Sequence, residues 1–463
     1  MNRRKFLNNT AALAALVGLP GAKNYAHAGP QELAEAAAKT LPASGKPVFG
    51  LRVPPLAQVR TGFIGLGNRG AEHVRLTNAV GTGKAKITAL CDIRPEPVEK
   101  CLDFLKKNGG QKPATYTGKA DAWKELCRRD DIDLVVISTP WEDHVPQAVH
   151  AMQQGKHVAL EVPAALTIEE CWLLVNTAEE TQRNCIMLEN VCYGNEELWL
   201  LNMAESGVFG TLTYAECAYI HDLRELLFSK TYYYNQWRLR HNQERDGNLY
   251  PTHGLGPVAQ YMGIDRGDRF DFLVSMSNRQ TCLDEHAQTL EPDNPFYQKT
   301  GFAHGDMNNT LIKTAQGRTI LVQHDVVTNR PYSRINMLAG TKAFHKGYPS
   351  QMTVDGQGHG FLKEAEYKSY RERYAHPLWK KLEGEAEKNG GHGGMDFVML
   401  WRMFDCLNRG IELDMDVYDA AAWSVVTPLS ELSVQLGSVP VKFPDFTRGY
   451  WKNERKLGVT ANP

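Results

Sequence analysis

A run of six residues, Gly65-Leu66-Gly67-Asn68-Arg69-Gly70, leaves the first half of this 463-residue chain few ways to fold. Residues 59–66 read as a buried strand running into it, and the sequence beyond turns helical. A second strand, residues 85–91, ends at Asp92, 22 residues past Gly70. Strand, G-x-G-x-x-G turn, helix and a carboxylate at that distance make the first unit of a doubly wound sheet that binds a dinucleotide. Gly65 and Gly67 let the backbone turn tightly and approach a pyrophosphate, and the helix N-terminus presents N–H groups to it. Asp92 is placed to accept from a ribose 2′-hydroxyl and would repel a 2′-phosphate, so NAD is expected over NADP. Arg94, close behind, works slightly against that preference.

The alternation continues. Strands are expected at 134–138, 157–160 and 186–188, with helices near 70–80, 95–107, 119–128, 144–154, 168–182 and 195–206. Strands separated by helices give a parallel sheet covered on both faces. Beyond residue 210 the texture changes. Residues 211–220, 270–276, 310–314, 319–326 and 334–338 read as longer strands, some joined by turns such as Ala315-Gln316-Gly317, which fits a mostly antiparallel sheet. Residues 341–391 are charged, aromatic and glycine-rich, with no clear period, whereas 395–409 and 417–435 read as helices. The expected chain is α/β. A Rossmann doubly wound parallel sheet spans 58–190, and an α+β domain with a large open, mostly antiparallel sheet spans 191–463. Residues 29–57 read as an arm. A short helix at 31–40 is followed by Pro42, Pro47, Pro54 and Pro55, which keep the chain extended.

Residues 1–28 read as an address. Arg3-Arg4-Lys5-Phe6-Leu7 opens it, residues 11–19 are apolar, and Ala26-His27-Ala28 fits a small-x-small cleavage site. The arginine pair resembles a twin-arginine signal, a route that carries folded proteins. Export to the periplasm with the cofactor already loaded is therefore expected. The other reading, an amphipathic first helix of the fold, is opposed by the lack of any acid in the segment and by Pro20-Gly21. No other apolar run reaches transmembrane length, so membrane insertion is not expected. With 52 basic against 53 acidic side chains, the chain is not held on nucleic acid by bulk charge. Nine cysteines, an odd number without a C-x-x-C pair, argue against a disulfide framework or a zinc site, and no metal is expected.

Ser138-Thr139-Pro140 at a strand end, His144 four residues on, and Glu161-Val162-Pro163 after the next strand resemble the glucose–fructose oxidoreductase / inositol dehydrogenase family. Its dehydrogenases usually carry Glu-Lys-Pro at the second motif, with the lysine in the active site. Val162 cannot polarise or deprotonate a hydroxyl. Glu161-Val162-Pro163-Ala164-Ala165, Glu189-Asn190-Val191-Cys192-Tyr193, Tyr250-Pro251-Thr252-His253-Gly254 and Asn329-Arg330-Pro331-Tyr332-Ser333-Arg334 together resemble glycoside hydrolase family 109, from about residue 58 to the C-terminus. Those enzymes contain NAD, and their type activity is α-N-acetylgalactosaminidase. The resemblance implies a cofactor lying on Asn68, Arg69, Asp92, Trp141, Glu142, Asp143, His144, Glu161, Val162 and Asn190. It implies a sugar contacting Tyr219, Arg238, Tyr250, Pro251, Thr252, His253 and Tyr332.

Read without the family, the same residues leave choices open. Tyr250 and His253, three apart at a loop or helix start, can face one cavity as proton donor and acceptor, or can be satisfied by backbone groups. One of Arg238 and Arg240 could stabilise an oxyanion while the other is a surface charge. Asn190 is either a cofactor contact or a strand-end turn residue. Glu142 and Asp143 are adjacent, and adjacent residues seldom flank a sugar ring as acid and nucleophile must. They read better as helix-start acids or ribose contacts. His392, in Gly390-Gly391-His392-Gly393-Gly394, either lines the site or belongs to a helix-start loop. Tyr232-Tyr233-Tyr234 and Trp237 either stack on sugars or pack.

The expected activity is a glycosidase acting on terminal α-N-acetylgalactosamine-type residues of a small molecule or glycan by oxidation, elimination, addition and reduction. NAD serves as a catalyst, and His253 and Tyr250 handle protons. An exported sugar oxidoreductase with tightly held NAD(P) and a non-enzymatic sugar binder are the alternatives. An open second sheet also suits pairing with another copy of the chain.

Overall fold

The computed structural model describes residues 10–19, 23 and 28–463. The arginine pair at residues 3–4 and residues 26–27 of the cleavage site lie outside them. Helix Thr10–Leu16, within the apolar stretch expected to belong to a targeting segment, ends on the body of the protein. Val17 and Gly18 carbonyls accept from the Ile168 and Glu169 N–H groups at 3.0 Å each, and Leu13, Ala14, Val17 and Leu19 are buried.

The first sheet has six parallel strands: β1 Val59–Ile64, β2 Ala85–Cys91, β3 Ala114–Tyr116, β4 Leu134–Ile137, β5 His157–Leu160 and β6 Cys185–Met187. They lie in the order β3-β2-β1-β4-β5-β6, so the chain reverses direction across the sheet between β1 and β4. Every residue of β4 and β5 is buried, as a parallel sheet covered on both faces requires. The intervening helices match expectation within a few residues. The longest of them, Ile168–Thr181, begins with a capping box in which Thr167 and Glu170 satisfy each other's backbone N–H groups. Strand β3 was not anticipated. Its three residues sit half-exposed at the sheet edge, too short a stretch to carry a pattern.

The second sheet has eight strands: β7 Leu212–Ile220, β8 Phe270–Ser277, β9 Asn308–Thr314, β10 Thr319–Asp325, β11 Met337–Gly340, β12 Ala343–Lys346, β13 Gln351–Val354 and β14 Val441–Lys442. Their order is β13-β12-β11-β7-β10-β9-β8-β14. All neighbours are antiparallel except β7 and β10, which run parallel from Thr319↔Tyr214 to Asp325↔Ile220. Helices Thr252–Tyr261 and Val426–Gln435 cover one face. The other face is open: along β9 buried and exposed residues alternate strictly, and Leu311 and Met276 stand outward at 47% and 61% exposure.

Three expected elements differ. The strand expected at 334–338 starts only at Met337, because Ile335 and Asn336 adopt left-handed backbone, φ +61° and +50°. The helix expected over 417–435 is two, Val417–Ser424 and Val426–Gln435, meeting at Val425. Pro428 falls in the first turn of the second, where its missing N–H costs nothing. Residues 341–391 hold β12, β13 and the helices Glu364–Tyr374 and Pro377–Asn389. The first of these helices buries no side chain, so it has no apolar stripe to read.

Helix Met395–Arg409 follows and returns to pack on helix Asn68–Val80 and on β1. That return brings Asp396, in its first turn, to the glycine loop. All nine cysteines are free thiols. No helix among the described residues is long and apolar enough to cross a membrane.

Candidate active site

A cleft of about 1020 Å³ opens at the carboxyl ends of the first sheet's strands, beside the neighbours β1 and β4, where the strand order reverses, and runs under the second domain. A doubly wound sheet leaves its crevice at this switch point. The glycines divide their work there. Gly65 has φ +81°, and a Cβ on it would lie 2.7 Å from the Ser138 carbonyl. A Cβ on Gly70 would fall 1.8 Å from the Gly65 oxygen, so the helix can start this close to β1 only without one. A Cβ on Gly67 would meet nothing within 4 Å. Gly67 faces the open cleft, and its bare backbone is the surface a pyrophosphate would approach.

Asp92, at the end of β2, accepts from the Leu66 N–H at 2.8 Å and the Arg94 N–H at 2.9 Å. It therefore ties the glycine loop to the strand end while lining the cleft. Arg69, from the first turn of helix Asn68–Val80, donates to Glu161 at 3.1 Å and to Asp396 at 2.9 Å. Glu161 also lies 2.6 Å from His73 Nε2. Burial of Glu161 opposes ionisation, but the Arg69 charge and the His73 and Val162 hydrogen bonds overcome it and hold the carboxyl well below the usual range. Asp396 gathers three donors: Arg69, His392 Nδ1 at 2.8 Å and Asn190 Nδ2 at 2.5 Å. Its carboxyl is likewise held low, burial being outweighed by His392 and Arg69.

Trp141 and His144 come from the helix Trp141–Gln153, which starts at the end of β4. Both His144 nitrogens are engaged, Nδ1 at 2.9 Å from the Pro163 carbonyl and Nε2 at 3.0 Å from that of Thr139. Complete burial lowers its pKa. His144 lines the cleft and clasps two strand-end segments together. Val162, 3% exposed, lines the cleft as well.

The far wall is aromatic. Arg238, from helix Trp237–Glu244, is ringed by Tyr250, Trp141, Tyr233 and Tyr219 at 4.6, 5.3, 5.6 and 5.9 Å from its guanidinium carbon to the ring centres. It donates to the Tyr233 hydroxyl at 3.1 Å and has no carboxylate partner among the described residues. This is a desolvated cation with donors to spare, suited to an oxyanion. Burial raises the Tyr250 phenol well above its ordinary range, against the pull of Arg238, and pushes Tyr219 up to about 12. Both stay protonated at neutral pH and act as donors. His253 sits one residue into helix Thr252–Tyr261, its ring 4.9 Å from that of Tyr250. Its Nδ1 lies 2.7 Å from Glu189 Oε1, which leaves Nε2 available to a ligand.

The cleft thus gathers Gly65, Gly67, Asn68, Arg69, Asp92, Trp141, Asp143, His144, Glu161, Val162, Asn190, Tyr219, Arg238, Tyr250, His253 and His392. Four expected residues stand outside its lining. Glu142 turns toward His241 at 3.4 Å. Pro251 caps helix Thr252–Tyr261, and Thr252 is completely buried behind His253. Tyr332 stands at the rim, 40% exposed, its ring 5.2 Å from that of His221. Two residues that the sequence did not single out matter here: Glu189 behind His253, and Asp396 beneath Arg69. Glu189 lay in a quoted motif and Asp396 beside His392, but nothing local announces a partner 64 or 327 residues away.

Residues 59–189 match the family described as "Oxidoreductase family, NAD-binding Rossmann fold". Residues 193–453 match "Glycosyl hydrolase 109, C-terminal domain". The chain belongs to glycoside hydrolase family 109. This family 109 chain is 47% identical over 465 residues to a protein of Shewanella oneidensis named alpha-N-acetylgalactosaminidase, covering 100% of this chain and 99% of that one. It is 47% identical over 464 residues to a glycosyl hydrolase family 109 protein of Shewanella pealeana, with 99% of each covered. Among solved structures, levoglucosan dehydrogenase in complex with NADH and levoglucosan matches with TM-score 0.61 and 17% identity, over 84% of this chain and 100% of that one. An Azotobacter vinelandii inositol dehydrogenase homolog, solved with NADH and myo-inositol, matches with TM-score 0.60 and 18% identity, over 87% and 100%. At such identities the likeness is one of fold, and the fold is the dehydrogenase pairing of a parallel nucleotide-binding sheet with an open second sheet. The first domain of this family 109 chain is an NAD-binding Rossmann domain. The unobstructed face of Gly67 and the carboxylate of Asp92 fit that cofactor.

Proposed function

We propose that the chain removes terminal α-linked N-acetylgalactosamine from a glycan or small glycoside and keeps NAD bound as a catalyst throughout. One observation carries the reading: the proton-handling wall of His253, Tyr250 and Arg238 lines the same cavity as Gly67 and Asp92. The identity of the sugar rests on the name of the Shewanella oneidensis relative.

Gly65, Gly67, Asn68, Arg69 and Asp92 would hold the cofactor, with Glu161, Asn190 and the Trp141 helix start along its length. A bound nicotinamide would supply a reversible oxidation at C3 of the sugar, taking the hydride while the hydroxyl proton passes to water; this acidifies the C2 proton and is undone, with hydride and proton returned, after hydrolysis. His253 Nε2 takes the C2 proton. Arg238 holds the oxygen that gains negative charge as it leaves, and the Tyr250 hydroxyl donates toward the departing C1 oxygen. The surrounding rings exclude water until the C1 substituent has gone. Val162 argues against a simple dehydrogenase, because an aliphatic side chain there can neither donate nor accept a proton.

The test is hydrolysis of a nitrophenyl α-N-acetylgalactosaminide in D₂O by purified protein without added nicotinamide. The expected result is released sugar carrying deuterium at C2, with close to one equivalent of NAD(H) per chain freed on denaturation, as one Rossmann site implies. Released sugar with a full C2 proton would overturn the mechanism. Oxidised sugar in place of hydrolysis would favour the oxidoreductase.

Two further points belong to this reading. Arg3-Arg4 and the apolar residues 11–19 support export by the twin-arginine route with cofactor aboard, checked by cofactor content in a periplasmic extract. The outward Leu311 and Met276 on the open sheet support pairing with a second copy, checked by solution mass.

A further inference from the structure

We infer that Glu189 is the positioning residue for His253, fixing its tautomer and balancing the charge it gains on taking a proton. The inference rests on the proposed role of His253 and adds a residue that the family resemblance did not assign.

The placement is tight and dry. Glu189 lies just past β6 and caps the short turn Asn190–Tyr193, accepting from the Val191 N–H at 3.2 Å. Its side chain is wholly buried. Oε1 stands 2.7 Å from His253 Nδ1, and Oε2 has no partner. No lysine or arginine pairs with it among the described residues. A buried carboxylate with no fixed cation is costly unless a neighbour becomes positive. Among the described residues, His253 is the one titratable side chain that hydrogen-bonds it.

The helix that carries His253 is seated to keep this contact. A Cβ on Gly256 would lie 3.0 Å from Glu189 Cγ and 2.9 Å from the Trp423 ring. A Cβ on Gly254 would lie 2.5 Å from the Ala218 backbone. Two bare positions in helix Thr252–Tyr261 thus let it press against β7 on one side and the Glu189 turn on the other. The seat fixes the backbone of His253 beside the carboxylate.

The chemistry follows. Nδ1–H donates to the carboxylate, so the lone pair sits on Nε2, the nitrogen left for the substrate. When Nε2 accepts a proton from a carbon acid, the C–H electron pair stays with the substrate and the ring becomes a cation. The carboxylate faces that cation at hydrogen-bond distance. It supplies what Val162 cannot: a fixed charge that acts on the proton-transfer step.

The experiment uses the NAD-loaded enzyme and Glu189→Gln. The amide oxygen can still accept from Nδ1 and from Val191, so orientation is kept while the charge is removed. The expected result is a fall in kcat of about 10²-fold, within the range of acid–base contributions. KM and NAD content should be unchanged, and the rate difference between C2-protio and C2-deuterio substrate should grow because proton removal has become slower. A purely structural role would not raise that isotope effect. If the glutamine variant does not fold, Glu189→Asp keeps the charge but withdraws it by one methylene, and the same loss and larger isotope effect are expected. Wild-type kcat and isotope effect in a folded, NAD-loaded variant would overturn the inference. Failure of the wild type to incorporate deuterium at C2 would instead overturn the mechanism on which it rests.

Discussion

Asp396 is the point where helix Met395–Arg409 grips the nucleotide-binding loop, and Asp396→Asn tests whether that grip holds the cofactor. The carboxylate offers two oxygens to three donors: Arg69 and His392 share Oδ2 at 2.9 and 2.8 Å, and Asn190 takes Oδ1 at 2.5 Å. Asparagine offers one. If its oxygen faces Arg69 and His392, its amide N–H₂ points at the Asn190 amide. Turned over, it points at the guanidinium. Either way at least one buried donor loses its acceptor and the site loses a charge. A charge-assisted hydrogen bond contributes about 1.5–3 kcal/mol. Arg69 keeps Glu161, and its side chain is 30% exposed, so water recovers part of the loss and about 2–3 kcal/mol is expected overall. Arg69 and Asn190 both line the cleft, so much of that cost should appear in cofactor retention. At about 1.4 kcal/mol per tenfold, NAD should leave about 30- to 150-fold faster. Cofactor remaining after repeated gel filtration, with dissociation timed by the fluorescence of enzyme loaded with NADH, reads this directly. Asp405→Asn is the control, since Asp405 sits on the same helix and pairs with Lys84 and Arg409 outside the cleft. An Asp396→Asn enzyme that keeps its NAD as long as the Asp405→Asn enzyme would refute the reasoning.

The glycine loop separates folding from binding. Gly70→Ala should destabilise the fold, because the new methyl meets the Gly65 oxygen at 1.8 Å, whereas Gly67→Ala should unfold at the wild-type urea midpoint yet bind NAD poorly, because its methyl enters open cleft. Acid should loosen the same region. Glu161 and Asp396 both have folded-state pKa values lowered from the ordinary carboxyl range, so their stabilisation is complete above the unfolded value near 4 and is lost as pH falls below it. The urea midpoint should therefore drop between about pH 5 and pH 2, and less steeply in Asp396→Asn.

Legibility followed the range of the interactions. β2 and β5 appear at the expected bounds because buried parallel strands are rich in apolar and β-branched residues that need no knowledge of their neighbours. The glycine loop and Asp92 were equally readable, since the geometry that needs them is completed within one βαβ unit. The parallel pairing of β7 with β10 was not readable, because strand pairing across a hundred residues leaves no mark on either strand. The helix Glu364–Tyr374 was missed for the opposite reason, having no buried face to reveal it. The resemblance supplied Tyr219 and Arg238, but it could not say that Tyr332 stands at the rim rather than in the cleft.

The division of labour between the two domains has a physical basis. In the dehydrogenases that this chain resembles, a lysine beside the cofactor handles the hydroxyl proton, so redox and proton chemistry share one strand end. Here that strand end keeps Glu161 for holding Arg69 and places Val162 in the cleft. On the proposed reading, proton handling moves across the cleft to His253 on helix Thr252–Tyr261, on the second domain. The move requires a counter-charge on the new side, and Glu189 stands there because the first domain's last strand ends directly beneath that helix. A single aliphatic substitution beside the cofactor would only disable a dehydrogenase. On the proposed reading, a carboxylate–imidazole pair on the facing wall gives the site a base for the carbon acid, and the hydroxyl proton lost on oxidation at C3 leaves without help from residue 162.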